Sequence, residues 1–410
     1  MAKTIAIIAT LDTKGDEARF VREQIEQRGH RAIVVDPGIL GEVSIPAEVS
    51  RERVARAGGA ASVAEVRGYG DKQRAMETMI RGTTKLVVEL AWRGEIDGVI
   101  GIGGGAGTSI GTAAMRALPV GFPKLMVSTI AAGKHCFGTF VGTRDVAMMH
   151  SVADILGLNP IVRRVLANGA AAICGMVEVE LPVEGVGKPV VLATMFGTTT
   201  PCLMRARGML EAGGYEVVMF HPNGTGGRAM EELIEQGVGD GVLDLSAHEV
   251  TGDLFGDMMG APNRLEAAGR RGVPQVVGPG GNDFLVLGPP EELGVEHRHR
   301  KQYRHTPEMT LCRVTPEEMV RVAEVMAERL NRATGPAAVV VPLRGFSFPS
   351  REGYPLYDPE GDLAFARTMR ERLSSRVRYV EVDCHINDPP YAETAVALLL
   401  ELMARRKSDA

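Results

Sequence analysis

Ile96-Asp97-Gly98-Val99-Ile100-Gly101-Ile102-Gly103-Gly104-Gly105-Ala106-Gly107-Thr108-Ser109 is an apolar run that stops abruptly in glycines. The residues after it, Ile110 to Arg116, have the composition of a helix. A buried strand feeding a glycine-rich turn and then a helix N-terminus makes an anion site. Glycine lets the backbone approach an oxyanion, and the unpaired N–H groups and helix dipole favour negative charge there. Thr108 and Ser109 add hydroxyls where a phosphate or its metal ion would sit. The stretch points to a binder of phosphates or nucleotides. The competing reading is that these glycines only permit tight packing of strand on helix.

Two familiar loops are excluded by missing residues. A Walker A loop needs a Gly-Lys-Ser/Thr ending, and no lysine lies in the turn. Gly101-Ile102-Gly103-Gly104-Gly105-Ala106 satisfies G-x-G-x-x-G/A. The acidic residue expected about 20 positions later to hold a ribose is absent, because that region reads Lys124-Leu125-Met126-Val127-Ser128-Thr129. A dinucleotide dehydrogenase is therefore disfavoured.

At 410 residues the chain is long enough for two ordinary domains. A net charge of -5, with no long basic run, gives no electrostatic case for nucleic acid. Met1-Ala2-Lys3 leads directly into a strand, and no apolar stretch approaches membrane-spanning length. Cys136, Cys174, Cys202, Cys312 and Cys384 are odd in number, scattered and without zinc spacing, which suits a reducing compartment. A cytoplasmic protein with no membrane partner is expected.

Working outward from the loop, Thr4 to Thr10 is another continuous apolar run, as in a strand covered on both faces. Leu11 to Glu17 form a link, a helix runs on to Arg28, and Gly29 ends it. Strands follow at 32–36, 97–103, 124–129 and 138–142, with a long amphipathic helix at 71–92. The pattern then restarts: Pro189 to Met195 as a strand, Cys202 to Ala212 as a helix, Gly213 to Phe220 as the next strand. Alternating β and α with short links implies α/β architecture, two Rossmann-like doubly wound domains with mainly parallel sheets. The proline- and glycine-punctuated stretch from Glu180 to Lys188 divides them, giving domains 1–184 and 185–410. Ligands are expected in an interdomain cleft, at the carboxyl ends of both sets of strands.

The second half has its own turns. His221-Pro222-Asn223-Gly224-Thr225-Gly226-Gly227-Arg228 follows a strand and opens a helix, so Gly224, Thr225, Gly226 and Gly227 suit a phosphate or a carboxylate. Asp283 ends the run Pro274 to Asp283, and Cys384-His385-Ile386-Asn387-Asp388 follows a later strand. His385, Asp388 and Asp283, with His221 and Glu249, form an acid–base or metal-ligand set if the fold gathers them. No G-x-S-x-G elbow is present.

Taken in order, Thr10-Leu11-Asp12-Thr13-Lys14-Gly15, GIGGGAGTS, HPNGTGGRAM, GPGGNDF and HINDPP carry a resemblance. Over nearly its whole length the chain resembles the ATP-binding family represented by the N-terminal region of the tomato mosaic virus resistance protein. That resemblance implies two Rossmann-like domains, ATP with magnesium in the first, and a homodimer. It implies a nucleotide site built from Thr10, Asp12, Thr13 and Lys14 with Gly103, Gly104, Gly105, Gly107, Thr108 and Ser109, Lys14 supplying the phosphate-facing cation. The family's Gly-Ala-Leu-Asp reads Gly280-Gly281-Asn282-Asp283 here, a departure that falls on Asn282. The expected function is nucleotide binding without an assigned reaction. The alternatives are metal-assisted hydrolysis or phosphoryl transfer on a small molecule, with Asp283 or His385 as base, and a nucleotide-sugar enzyme.

Overall fold

The computed structural model describes residues 1–43, 45–132, 137–180 and 187–409. The chain divides into two compact units, Met1–Pro182 and Val183–Ala410. Each is an α/β unit built on a parallel sheet.

In the first unit the strands are β1 (Thr4–Ile8), β2 (Arg31–Val35), β3 (Gly98–Gly103), β4 (Lys124–Ser128) and β5 (Ala147–His150). They lie in the order β2-β1-β3-β4-β5, all parallel. Side chains alternate across a strand, so a sheet covered on both faces needs apolar residues at every position. Ile5 and Ile7 belong to the core on one face, with Ile100, Ile102, Leu125 and Val127. Ala6 and Ile8 belong to the core on the other, with Val99 and Met126. Helices Leu11–Glu26 and Pro160–Glu178 cover the first face, and Lys72–Trp92 and Gly105–Arg116 the second.

Two expectations fail here. The stretch 138–142 is not a strand: Phe137–Val141 forms a π-helical turn, and Gly142 at φ 59° ends any extended run. The sheet edge is β5 instead. One helix, Pro160–Glu178, is also long and apolar enough to cross a membrane, contrary to the reading of the sequence. Its Val162, Leu166, Ala170 and Ile173 are spent on the protein's own core.

The second unit repeats the opening of the first. Its strands β6 (Val190–Thr194), β7 (Glu216–Phe220), β8 (Gly241–Asp244) and β9 (Gln275–Val277) are joined later by β13 (Ala337–Pro342) and β14 (Val377–Val382). The order is β7-β6-β8-β9-β13-β14, so in both units the second strand lies outside the first and the third lies on its other side. Between β9 and β13 the chain inserts a small antiparallel sheet of β10 (Phe284–Leu287), β11 (Gln302–Thr306) and β12 (Met309–Arg313), ordered β10-β12-β11. Cys174, Cys202, Cys312 and Cys384 are buried and free; Cys136 lies outside the described residues.

Candidate functional site

An order of β2-β1-β3 reverses direction between β1 and β3, and ligands of open α/β sheets bind beyond the strand ends at such a point. The first unit has a cavity of about 570 Å³ there. Thr10, Asp12 and Thr13 come to it from the end of β1, Gly38 from the end of β2, and Ala106 and Ile110 from the helix after β3. Its far wall is aliphatic and thioether: Ile39, Leu40, Val66, Met76 and Met79.

Helix termini give this cavity its electrostatics. Leu11–Glu26 starts directly at the end of β1, so the expected link from Leu11 to Glu17 is its first turns. Both helices bring N-terminal residues to the cavity wall; the Asp36 carboxylate takes the Leu11 N–H of the first, whereas no side chain caps Gly105–Arg116. The uncapped N–H groups and the dipole of Gly105–Arg116 favour an anion. The polar side chains are held in place. Thr10 Oγ1 and Thr13 Oγ1 lie 3.0 Å apart, and Asp12 Oδ2 accepts the Leu40 N–H at 2.8 Å. Behind them, buried Asp36 accepts from Leu11 N at 3.0 Å, Gly38 N at 2.8 Å and Arg51 Nε at 2.8 Å, tying the loops after β1 and β2 together.

The glycines of the loop fall into two pairs. A Cβ on Gly103 would come within 2.9 Å of Gly107 Cα, and one on Gly107 within 3.3 Å of the Ile102 carbonyl oxygen. These two glycines let the helix lie against its strand, as the packing reading held. A Cβ on Gly105 would meet nothing within 4 Å, and one on Gly104 only Thr129 Oγ1 at 3.6 Å. Crowding does not require glycine at these two positions. Gly103→Ala is accordingly expected to destabilise the protein by about 1–3 kcal/mol. Gly105→Ala should be neutral or stabilising by up to about 1 kcal/mol, both read from urea unfolding.

Three other expected ligand groups are placed elsewhere. Thr108 is fully buried, and its Oγ1 lies 2.7 Å from Ser128 Oγ, inside the protein. Ser109 Oγ turns back to the Gly105 carbonyl at 3.0 Å. Lys14 sits at a kink in its helix, with φ -131° and ψ 24°, and does not line the cavity. The cations that do line it are Arg67 and Lys72.

In the second unit the expected anion site is filled from within. Gly224 N and Gly227 N donate to Glu249 Oε1 at 2.8 and 3.2 Å. Buried Arg264 holds the other oxygen of Glu249 at 2.5 Å, Glu231 at 2.7 Å and Asp244 at 2.9 Å. A Cβ on Gly227 would overlap Glu249 Oε2, and one on Gly226 the His221 carbonyl. Thr225 Oγ1 bonds Asn223. The loop does bind a carboxylate, but the protein's own. Burial pushes the Glu231 carboxyl up against the pull of Arg264, while the three carboxylates outweigh desolvation and hold the Arg264 guanidinium charged.

Asp283, His385 and Asp388 are brought near one another, each with a structural partner. Fully buried Asp283 accepts from Arg313 Nη1 at 3.1 Å and from Ser347 Oγ at 2.6 Å. His385 Nε2 donates to the Ser347 carbonyl at 2.9 Å while Nδ1 accepts the Asn387 N–H at 3.1 Å, and burial pushes its pKa down. With both ring nitrogens on the backbone, His385 has no free position for proton transfer. Asp388 pairs with Arg351 and accepts the His385 N–H at 3.0 Å. His221, Glu249 and Asp283 have separate partners, and no three His, Cys, Asp or Glu side chains gather around a metal position among the described residues.

Asp362 shares Arg313 with Asp283, and burial pushes it up to about 6. Its folded value lies above the ordinary 3.8, so the stability it contributes is present below pH 3.8 and lost as pH rises through about 6. Asp362→Asn should flatten the stability–pH curve across that window, measured by urea unfolding at stepped pH.

Both units match the two domain models of one family, described as Uncharacterised protein family (UPF0261): the N-terminal domain over residues 3–182 and the C-terminal domain over 188–403. The chain belongs to the UPF0261 family. A UPF0261 protein of Clostridium tetani is 41% identical over 407 residues, covering 99% of this chain and 100% of its own. One of Rhizobium meliloti is 38% identical over 400 residues, covering 96% and 98%. The ToMV resistance protein Tm-1(GCR237) of Solanum lycopersicum is 36% identical over 318 residues, covering 76% of this chain and 42% of that protein. A putative UDP-N-acetylglucosamine 2-epimerase from Listeria monocytogenes is a remote structural neighbour, 11% identical with a TM-score of 0.22, covering 68% of this chain and 79% of its own.

Several residues that shape this UPF0261 protein escaped the sequence. Met76 and Met79 lie on the cavity face of Lys72–Trp92, where their spacing reads equally well as core. Arg264 and Arg313 read as ordinary surface cations until their carboxylates, 15 to 49 residues distant, are brought round them.

Proposed function

We propose that the N-terminal unit binds a nucleotide, ATP with magnesium, in the cavity at the carboxyl ends of β1 and β3. The observation that carries this reading is the uncapped N-terminus of Gly105–Arg116 meeting, beside the start of Leu11–Glu26, one apolar cavity at the point where the strand order reverses. Phosphates would lie against the first turns at Thr10–Thr13 and Gly104–Ala106, with Arg67 and Lys72 available to offset their charge. The base would pack on Met76, Met79 and Val66. A volume of about 570 Å³ suits such a ligand, since small-molecule sites span roughly 300–1,000 Å³.

Asp12, Thr10 and Thr13 are the hard oxygen donors a magnesium ion takes beside phosphate, and Asp12 is already fixed by Leu40 N. Magnesium would neutralise phosphate charge there. No reaction is part of this reading, because Asp283, His385 and Asp388 are held by structural partners.

Calorimetric titration of the full chain with ATP, with and without magnesium, tests it. Saturable one-to-one binding, strengthened by magnesium and weakened when Asp12 is replaced by Asn, is the expected result. Absence of saturable heat under both conditions would sink the proposal.

A further inference from the structure

Just beyond the carboxyl ends of β13 and β14, Leu343 and His385 border a cavity of about 420 Å³, a volume in the range of small-molecule sites. Helix Pro359–Arg372 brings Asp362 to it from its first turn. Asp362 is 2% exposed, and its carboxyl is only half used. Oδ1 accepts from Arg313 Nη2 at 2.5 Å, whereas Oδ2 has no hydrogen-bond partner among the described residues. Asp283, on the same guanidinium, lies wholly in the interior. Asp362 instead forms part of the cavity wall, so its free oxygen is open to a ligand.

The charge around that oxygen is out of balance. Arg313 also meets Asp283 at 3.1 Å and Asp358 at 3.7 Å, and Lys301 reaches Asp358 only at 3.9 Å. Three carboxylates thus share two cations, and Glu352 adds a further negative charge to the wall. The cations of the wall are already engaged: Arg344 holds Asp383 at 2.7 and 2.8 Å, and Arg351 pairs with Asp388. His385 stays neutral, since burial pushes its pKa down. Burial, with Asp283 and Asp358 adding to it against the pull of Arg313, pushes the Asp362 carboxyl up to about 6. A negative charge is held here that the protein's own cations do not fully offset.

We propose that this cavity binds a small primary amine, whose ammonium donates to Asp362 Oδ2 while an apolar body lies against Leu343, Pro359 and Tyr357. One free oxygen suits a point charge. A guanidinium fork would use both carboxylate oxygens, and Arg313 already occupies one. A divalent cation takes several oxygen ligands, and no three His, Cys, Asp or Glu side chains gather around a metal position among the described residues. An anion would face Asp362 and Glu352, with the neighbouring arginines already paired.

Benzylamine, charged at neutral pH, is the probe, titrated into the full chain by calorimetry with benzyl alcohol as the uncharged control. Expected are an amine Kd at or below about 1 mM and an alcohol at least about tenfold weaker. In Asp362→Asn the amide oxygen can still accept from Arg313, which puts an N–H donor in the place of Oδ2. That variant should bind the amine at least about tenfold more weakly. Its thermal midpoint at neutral pH should be unchanged or raised, because the substitution removes a charge that burial disfavours. Glu352→Lys reverses an exposed charge on the same wall and should weaken the amine at least about threefold, with the fold unaffected. No saturable binding of benzylamine, equal affinity for the alcohol, or unchanged affinity in either variant would each overturn the proposal.

Discussion

Ala106→Asp is expected to weaken ATP binding by at least about 100-fold while leaving the protein as stable as before, or slightly more so. Ala106 is in the first turn of Gly105–Arg116, is exposed, and lines the cavity. An aspartate there supplies its own negative charge to an N-terminus that no side chain caps, a placement worth about 0.3–1 kcal/mol to the helix. The same carboxylate would face the phosphates, and like charges brought together at a binding surface cost several kcal/mol. About 3 kcal/mol corresponds to the 100-fold loss. Stability and affinity thus move in opposite directions, which a general disturbance of the fold would not produce. Calorimetry and thermal unfolding of the same preparation give both readings, and a variant that retains wild-type affinity would remove the helix start from the site.

Arg264→Met should have the largest effect on stability, a loss of about 3–5 kcal/mol. Arg264 is fully buried, and its guanidinium meets Glu231, Asp244 and Glu249. Backbone donors satisfy part of this charge: Leu265 N and Ala267 N on Glu231, Gly224 N and Gly227 N on Glu249. They cannot replace the cation. Without it three carboxylates remain in a dry interior, and the lowest-cost response is to protonate them or unfold. The Arg264→Met protein should therefore regain stability as pH falls, since burial already pushes the Glu231 carboxyl up. Adding Glu249→Gln to Arg264→Met should recover part of the loss, because residues of one network do not act additively. Urea unfolding of the single and double variants at stepped pH measures this; a loss below 1 kcal/mol for Arg264→Met would contradict the network's role.

The parallel sheets were legible because their strands are covered on both faces. Past Thr4, the strands Thr4–Ile8 and Gly98–Gly103 are continuous in apolar residues and glycine. The restart at Pro189 was visible for the same reason. The insertion β10–β12 was not, since Gln302–Thr306 is largely polar and pairs across a short turn with Met309–Arg313.

Sites were harder to read than strands. A glycine in a sequence does not show what it faces: Gly103 and Gly107 face each other, whereas an added Cβ at Gly105 meets open space. The turn at Gly224–Gly227 has the composition of an anion loop because it is one. Its anion, Glu249, lies 22 residues beyond Gly227, where no local pattern marks it. Lys14 was the natural cation by position, but the kink at that residue leaves it off the cavity, and Arg67 and Lys72 come from elements that carry no motif.

The central claim is that the cavity between the ends of β1 and β3 holds a nucleotide by its phosphates. A crystal structure of the full chain grown with ATP and magnesium tests it most directly. Phosphate density against the helix starts at Thr10–Thr13 and Gly104–Ala106, with the base beside Met76 and Met79, is the predicted result. Nucleotide density elsewhere in the molecule, or a cavity that stays free of nucleotide at saturating ATP, would contradict it.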